Sequence, residues 1–207
     1  MFPSKKSLAV FLSRLKGFAH PTLADEQYAT DSEVAATFLW HAALQGYIEE
    51  KTVADFGAGP GILGIGALLL GAKHVVFVEK DLTVKETLLE NLAYLAEQTE
   101  QTFSYEVVIK DIATFSEQVD VIIMNPPFGT KSAHADKFFL ERAVLCAPTI
   151  LSFHKTITKD FITAFCQDHT LRIAWELPFS YPLKQTHAHH QKKRIYIEVT
   201  GFCFTRS

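Results

Sequence analysis

The segment Asn125-Pro126-Pro127-Phe128-Gly129 puts a primary amide, two prolines and an aromatic ring into consecutive positions. Each proline lacks an N–H and fixes φ, and the residue before a proline is driven to extended geometry, so Asn125 is presented from a stiff turn. The chemistry this suits is a grip on a planar, amino-bearing group. The Asn125 amide and the Pro126 carbonyl would accept N–H bonds while Phe128 stacks on the ring. The plain alternative is a proline turn that caps a strand and folds Phe128 onto the core. What favours a site is the run ahead of it, Val119-Asp120-Val121-Ile122-Ile123-Met124, which is short, β-branched and nearly all apolar. That is the pattern of a strand buried on both faces of a parallel sheet. The turn then lies at a strand's carboxyl end, where open α/β sheets bind ligands.

A second constellation begins at Asp55. Thr52 to Phe56 reads as a strand, Gly57-Ala58-Gly59-Pro60-Gly61 as a glycine loop and Ile62 to Leu70 as an apolar helix, the opening of a Rossmann-type unit. Glycines let the backbone approach a ligand closely, and Pro60 suits the first turn of a helix. The next strand, His74 to Val78, ends in Glu79, an acid placed to accept ribose hydroxyls. Two cofactors compete for this loop. Gly59-x-Gly61-x-x-Gly64 formally satisfies the dinucleotide fingerprint, but a carboxylate at Asp55 repels the diphosphate of NAD. S-adenosylmethionine has an ammonium, a sulfonium and no phosphate, and it tolerates that charge. Asp111, just past a third strand from Ser104 to Ile109, favours the same cofactor.

Basic residues gather late in the chain. Lys184, His187, His189, His190, Lys192, Lys193 and Arg194 fall within one stretch. The histidines invite a zinc reading, yet no cysteine or carboxylate nearby completes a ligand set, so no metal is expected. A basic lip for an RNA backbone fits better, with a solvated hairpin loop as its bland counterpart. His154-Lys155, at a strand end, suits a contact to phosphate, a role in orienting the loop, or a solvated surface pair.

Holding these groups requires strands and helices in alternation. Ser4 to Lys16 carries Leu8, Phe11, Leu12 and Leu15 on one face and predicts an amphipathic helix on the sheet's surface. Thr30 or Asp31 caps the next helix, whose stripe is Val34, Phe38, Leu39 and Ala42. Asp81 caps a helix bearing Val84, Leu88, Leu92 and Leu95; Asp136 opens one through Ala147; Thr149 to Phe153 is a strand; Thr158 caps a helix to about His169. Leu171 to Phe179 and Arg194 to Phe204 are both strand-like with no helix between them, a terminal antiparallel hairpin. The expectation is an α/β, Rossmann-like fold with a seven-stranded, mostly parallel sheet. Residues 1–207 form one domain, with 1–30 an N-terminal helix and cofactor-entry segment and 180–193 a basic hairpin loop.

The 207 residues, 48% hydrophobic, suffice for one well-buried core. A formal charge of -3 argues against a generally basic nucleic-acid coat and leaves room for a local basic face. Cys146, Cys166 and Cys203 are far apart in apolar contexts and read as reduced core residues. The longest apolar run, Ile62 to Ala72, is too short to cross a bilayer, so a cytoplasmic protein with no membrane partner is expected.

With these residues assembled, the chain resembles the class I methyltransferases. Among them it is similar to the archaeal and eukaryotic METTL5-like ribosomal RNA adenine-N6 methyltransferases. The resemblance rests on Glu26-Gln27-Tyr28-Ala29-Thr30, Asp55-Phe56-Gly57-Ala58-Gly59, the run from Asn125 to Lys131, Ser152-Phe153-His154-Lys155, and Lys192-Lys193-Arg194 with Ile197-Glu198-Val199. It implies that Gln27, Tyr28 and Thr30 hold the methionine end of S-adenosylmethionine. By the same resemblance Gly57 and Gly59 line its backbone path, Glu79 takes the ribose and Asp111 meets the adenine amino group. Asp55, Pro60, Gly61, Ile62, Lys80, Ile112 and Asn125 complete the expected cofactor lining. Asn125, Pro126, Pro127 and Phe128 are the catalytic set, and His154, Lys155, Lys184, His190, Lys192 and Lys193 are the RNA-facing candidates. Two departures are Ala29, where the family often has proline or arginine, and Pro60, at a variable loop position. The implied reaction is methyl transfer to the N6 amine of an adenine in ribosomal RNA. The implied partner is a small zinc-binding Trm112-like activator docked along Ser104 to Ile109 by β-augmentation. Two rival readings are methylation of a protein glutamine amide, by enzymes that more often carry Tyr where Phe128 stands, and a non-catalytic scaffold that binds cofactor and RNA.

Overall fold

A single seven-stranded sheet organises the computed structural model of the chain, which describes residues 3–18, 30–127, 135–183 and 195–206. In chain order its strands are β1 (Thr52–Phe56), β2 (His74–Glu79), β3 (Tyr105–Ile109), β4 (Val121–Met124), β5 (Thr149–Lys155), β6 (Leu171–Leu183) and β7 (Ile195–Arg206). They lie in the order β3-β2-β1-β4-β5-β7-β6. The first five are parallel, and β7 runs antiparallel to both of its neighbours. The expected parallel sheet with a terminal antiparallel hairpin is what forms.

Period-two alternation sorts each strand's side chains onto two covered faces. Val53, Val75, Phe77, Val121, Ile123, Leu151 and Phe153 enter one core beneath α2 (Ser32–Leu44), α3 (Ile62–Leu69) and α4 (Lys85–Thr99). Ala54, Phe56, Val76, Val78, Ile122, Met124 and Ile150 enter the other, beneath α5 (Ala135–Cys146) and α6 (Lys159–Asp168). The three cysteines are free and buried in these cores, as expected. The N-terminal helix α1 (Lys5–Leu12) packs on α2 and α3 rather than directly on the sheet.

Three local expectations change. Helix α1 stops at Leu12, short of Lys16, because Arg14 and Leu15 take tighter bonds to the Phe11 and Leu12 carbonyls. The Lys16 backbone is then claimed by Asn91 of α4. Thr158 sits at the start of α6, but its hydroxyl donates to the Lys155 carbonyl and caps nothing. The hairpin ladder runs on through Ser180↔Glu198 to Leu183↔Ile195, helped by the Ser180 hydroxyl donating to the Glu198 carboxylate. The first four residues of the expected 180–193 loop therefore belong to β6, and the rest lies outside the described residues.

The loop after β1 is fixed from beneath. Asp55, fully buried, accepts the Gly64 N–H at 2.8 Å and so occupies a donor of the first turn of α3. Gly64 in turn lets α3 settle on β2, since a Cβ there would stand 2.2 Å from Phe77 Cε1. Burial lifts the Asp55 carboxyl from its ordinary 3.8 to about 7; the Gly64 bond opposes this and the nearby Glu79 charge adds to it.

Two outcomes follow from this arrangement. Phe77 is fully buried and cannot swing aside. Gly64→Ala should therefore cost about 1–3 kcal/mol of stability. At about 2–4 °C per kcal/mol, calorimetry should show a melting temperature several degrees lower, and an unchanged one would contradict the packing. For Asp55, a raised carboxyl contributes stability that is complete below 3.8 and is lost as pH rises through about 7. Relative to Asp55→Asn, the wild-type unfolding free energy should fall by on the order of 4 kcal/mol across that window and run parallel above it. Denaturant titrations at a series of pH values measure this, and a difference that is flat across the window would refute it.

Candidate active site

Chain order reverses direction between β1 and β4, so the loops leaving these two adjacent parallel strands open at the sheet's switch point. One is the glycine loop and the other is the Asn125-Pro126-Pro127 turn. Gly57, Gly59 and Gly61 all have positive φ, at 68°, 53° and 91°, which turns the chain sharply from β1 into α3.

The loop's donors are spent within the protein. Gly57 and Ala58 donate to the Val78 carbonyl, Gly61 to the Ala58 carbonyl and Gly59 to Glu79 Oε2 at 2.8 Å, while Pro60 has none to give. With Gly64 held by Asp55, this bend has no row of open N–H groups for a diphosphate. That geometry counts against the dinucleotide reading. Glu79 is bonded twice over, its Oε1 taking the Asp81 N–H at 2.8 Å. Each carboxylate oxygen has two acceptor positions, so one per oxygen is left for a pair of hydroxyls. Asp111, at the end of β3, is exposed and spends one oxygen on the Ala113 N–H. Lys80 is exposed and Ile62 half-buried, whereas Pro60 is buried and Ile112 is packed in the second core.

Across the switch point, Asn125 Nδ2 donates to the Thr30 hydroxyl at 3.0 Å. The Thr30 side chain thus orients the amide, while Asp31 caps α2 by accepting the Glu33 and Val34 N–H groups. Asn125 Oδ1 is buried and has no hydrogen-bond partner among the described residues. An unpaired buried acceptor costs about 1–3 kcal/mol, which is recovered when a donor arrives. Pro126 is buried and Pro127 partly so, beside this acceptor. Phe128, Gln27 and Tyr28 lie outside the described residues, as do Lys184, His190, Lys192 and Lys193.

His154 does not face solvent. It is 1% exposed, its Nε2 is 2.8 Å from the Ser152 hydroxyl, and its Nδ1 is 3.9 Å from Asp136 Oδ2 at the start of α5. Burial holds its pKa below the ordinary 6.5, so the ring is neutral at pH 7. It sits between β5 and the start of α5 and is not displayed to a phosphate; Lys155 is partly exposed.

Three neighbours of the site escaped the sequence reading. Phe18 packs against Gly59, where a Cβ would stand 2.8 Å from its Cζ, and Phe139 of α5 lies against Gly57. Asn91 of α4 reaches the Pro60 carbonyl at 2.8 Å. Of these only Asn91 left a signal, a polar residue inside the Leu88, Leu92, Leu95 stripe.

The family model Conserved hypothetical protein 95 matches residues 30–164. The rRNA N(6)-adenosine-methyltransferase METTL5 of Danio rerio is 33% identical, over 97% of this chain and 98% of its own. Its Drosophila melanogaster counterpart is 32% identical over 96% and 95%. A crystal structure from Pyrococcus horikoshii, of a protein described as a candidate RNA methyltransferase, superposes with a TM-score of 0.87 at 39% identity, covering 98% of each chain. Ribosomal protein L11 methylase of Lactobacillus delbrueckii, 16% identical with a TM-score of 0.61, shares the fold. The chain belongs to the Conserved hypothetical protein 95 family and to the family of the METTL5 rRNA N6-adenosine methyltransferases.

Proposed function

We propose that this chain transfers a methyl group from S-adenosylmethionine to the N6 amine of an adenine in ribosomal RNA. The observation that carries the reading is the buried, unpaired Asn125 Oδ1 beside a glycine loop whose donors are already committed. S-adenosylmethionine supplies, when bound, a methyl group made electrophilic by a sulfonium. Glu79 has the spare acceptor positions for its ribose and Asp111 an exposed carboxylate for its adenine amine, while Asp55, Gly57, Gly59 and Gly61 hold the bend against which it lies. Gln27, Tyr28 and Thr30 complete the methionine end in this reading.

The N6 lone pair of adenine is delocalised into the ring and is a poor nucleophile. Asn125 Oδ1 and the Pro126 carbonyl each accept one N–H, drawing the amine toward a pyramidal shape and aiming its lone pair. Positioning of this kind supplies the acceleration in place of a strong base. The nitrogen pair becomes the new N–C bond as the C–S bond breaks toward sulfur, and the N6 proton, acidic only then, leaves to water. Phe128 stacks on the extruded base, worth about 1–3 kcal/mol, against a similar cost of unstacking. Lys155 and the basic residues Lys184, His190, Lys192 and Lys193 meet the RNA backbone.

The fold also offers a surface for a partner protein. Strand β3 is an edge of the sheet, and Tyr105 on it is 41% exposed. An open edge of this kind takes an added strand from a small zinc-binding Trm112-like activator. Among the described residues no helix is long and apolar enough to cross a membrane. With ribosomal RNA as its substrate, the proposed site of action is the cytoplasm.

Labelled methyl transfer to ribosomal RNA, followed by nucleoside analysis, tests the activity and should yield N6-methyladenosine. Asn125→Ala should lower the rate on the order of 100-fold or more, with S-adenosylmethionine affinity within about twofold. Parallel loss of cofactor binding, or label recovered in protein glutamine, would contradict the assignment. Co-expression with a Trm112-like protein should give a stable one-to-one complex, and separate elution on gel filtration would count against the edge-strand partner.

A further inference from the structure

We propose that Asn91 is a positioning residue of the cofactor site, clasping the N-terminal segment to the glycine loop and thereby setting cofactor affinity. The inference rests on the cofactor reading above. Asn91 is 2% exposed on α4, in a stripe where leucine would be the ordinary choice. Its amide is committed to groups outside its own helix. Oδ1 accepts the Lys16 N–H at 2.8 Å, and Nδ2 donates to the Lys16 carbonyl at 2.9 Å and to the Pro60 carbonyl at 2.8 Å. One side chain thus grips both backbone groups of Lys16 and joins them to the loop that bends at Gly59 and Gly61.

The contact continues along the chain. Two residues on, the Phe18 ring lies on the Cα of Gly59. Where the described chain resumes, Thr30 accepts the Asn125 amide. Phe18 is thus set against the glycine loop and Thr30 against the proline turn, the two loops of the switch point. The neighbouring ion pair from Lys16 Nζ to Glu90 Oε2 at 3.1 Å is open to solvent on both sides. Such a pair adds little, so the anchoring falls to Asn91.

A cofactor seated against the loop meets Lys16 to Phe18 already in place. Without the clasp, ordering Lys16 to Phe18 becomes part of the cost of binding, which weakens affinity. The transfer step, carried by Asn125, is untouched. That separation is the signature to look for.

In the full-length chain, Asn91→Ala should raise KM for S-adenosylmethionine about tenfold, leave kcat within about twofold and leave KM for ribosomal RNA unchanged. Titration calorimetry with S-adenosylhomocysteine should show the same weakening without any RNA present, so the result does not depend on the substrate assignment. Phe18→Ala, which leaves the buried amide intact, should act in the same direction. The double variant should lose less than the product of the two effects, because both loosen one clasp. A lower melting temperature with unchanged cofactor affinity would make Asn91 merely structural and overturn the proposal. If Asn91→Ala does not fold, Phe18→Ala decides alone, and cofactor affinity equal to wild type would overturn it. Loss of methyl transfer to RNA by the wild type with cofactor affinity still dependent on Asn91 would sink the substrate assignment and leave this inference standing.

Discussion

Two buried carboxylates hold the glycine loop, and the site depends on them. Asp55 takes the Gly64 N–H and Glu79 takes those of Gly59 and Asp81, so the bend after β1 is fixed by acceptors beneath it. Burying carboxylates is costly, and the raised pKa of Asp55 records that cost. What the arrangement gains is a loop held from beneath, with its donors committed and the Glu79 carboxylate behind it. A cofactor bearing ammonium and sulfonium charge matches those surroundings, and a diphosphate does not.

The second half of the site follows from sheet topology. Because β4 lies directly beside β1, the proline turn is delivered next to the glycine bend without any long loop. Thr30 and Asp31 divide one helix start between two tasks, with Asp31 capping α2 and Thr30 orienting the Asn125 amide. The amide is then left with one buried oxygen unpaired. A polar atom left in this state gains by accepting a donor, and in the proposed function that donor is an exocyclic amine.

Much of this was legible in the chain. Val121 to Met124 announces a doubly buried strand because its β-branched run has no polar alternation. The prolines after it announce the turn because they cannot extend the ladder. The glycines after Asp55 announce the bend because of the positive φ they permit. What the sequence did not show are contacts made across long separations. Nothing local marks Lys16 as the partner of Asn91, which takes up the Lys16 backbone once α1 has ended. A histidine beside a lysine at a strand end fits a phosphate contact, a loop orienter or a surface pair alike; the alternation of β5 turns the His154 ring inward against Ser152. Thr158 had the residue type of a cap, but its hydroxyl found the Lys155 carbonyl first. The hairpin was placed correctly and cut short, since polar residues such as Ser180 and Glu198 pair across strands as readily as they fill loops.

The account turns on whether Asn125 Oδ1 receives an amine. A crystal structure of the chain with S-adenosylhomocysteine and an adenine-containing RNA fragment measures this directly. The adenine N6 is expected about 3 Å from Asn125 Oδ1, with the glycine bend on the far side of the amine. An Asn125 oxygen bonded within the protein, with the adenine amine held elsewhere, would contradict it.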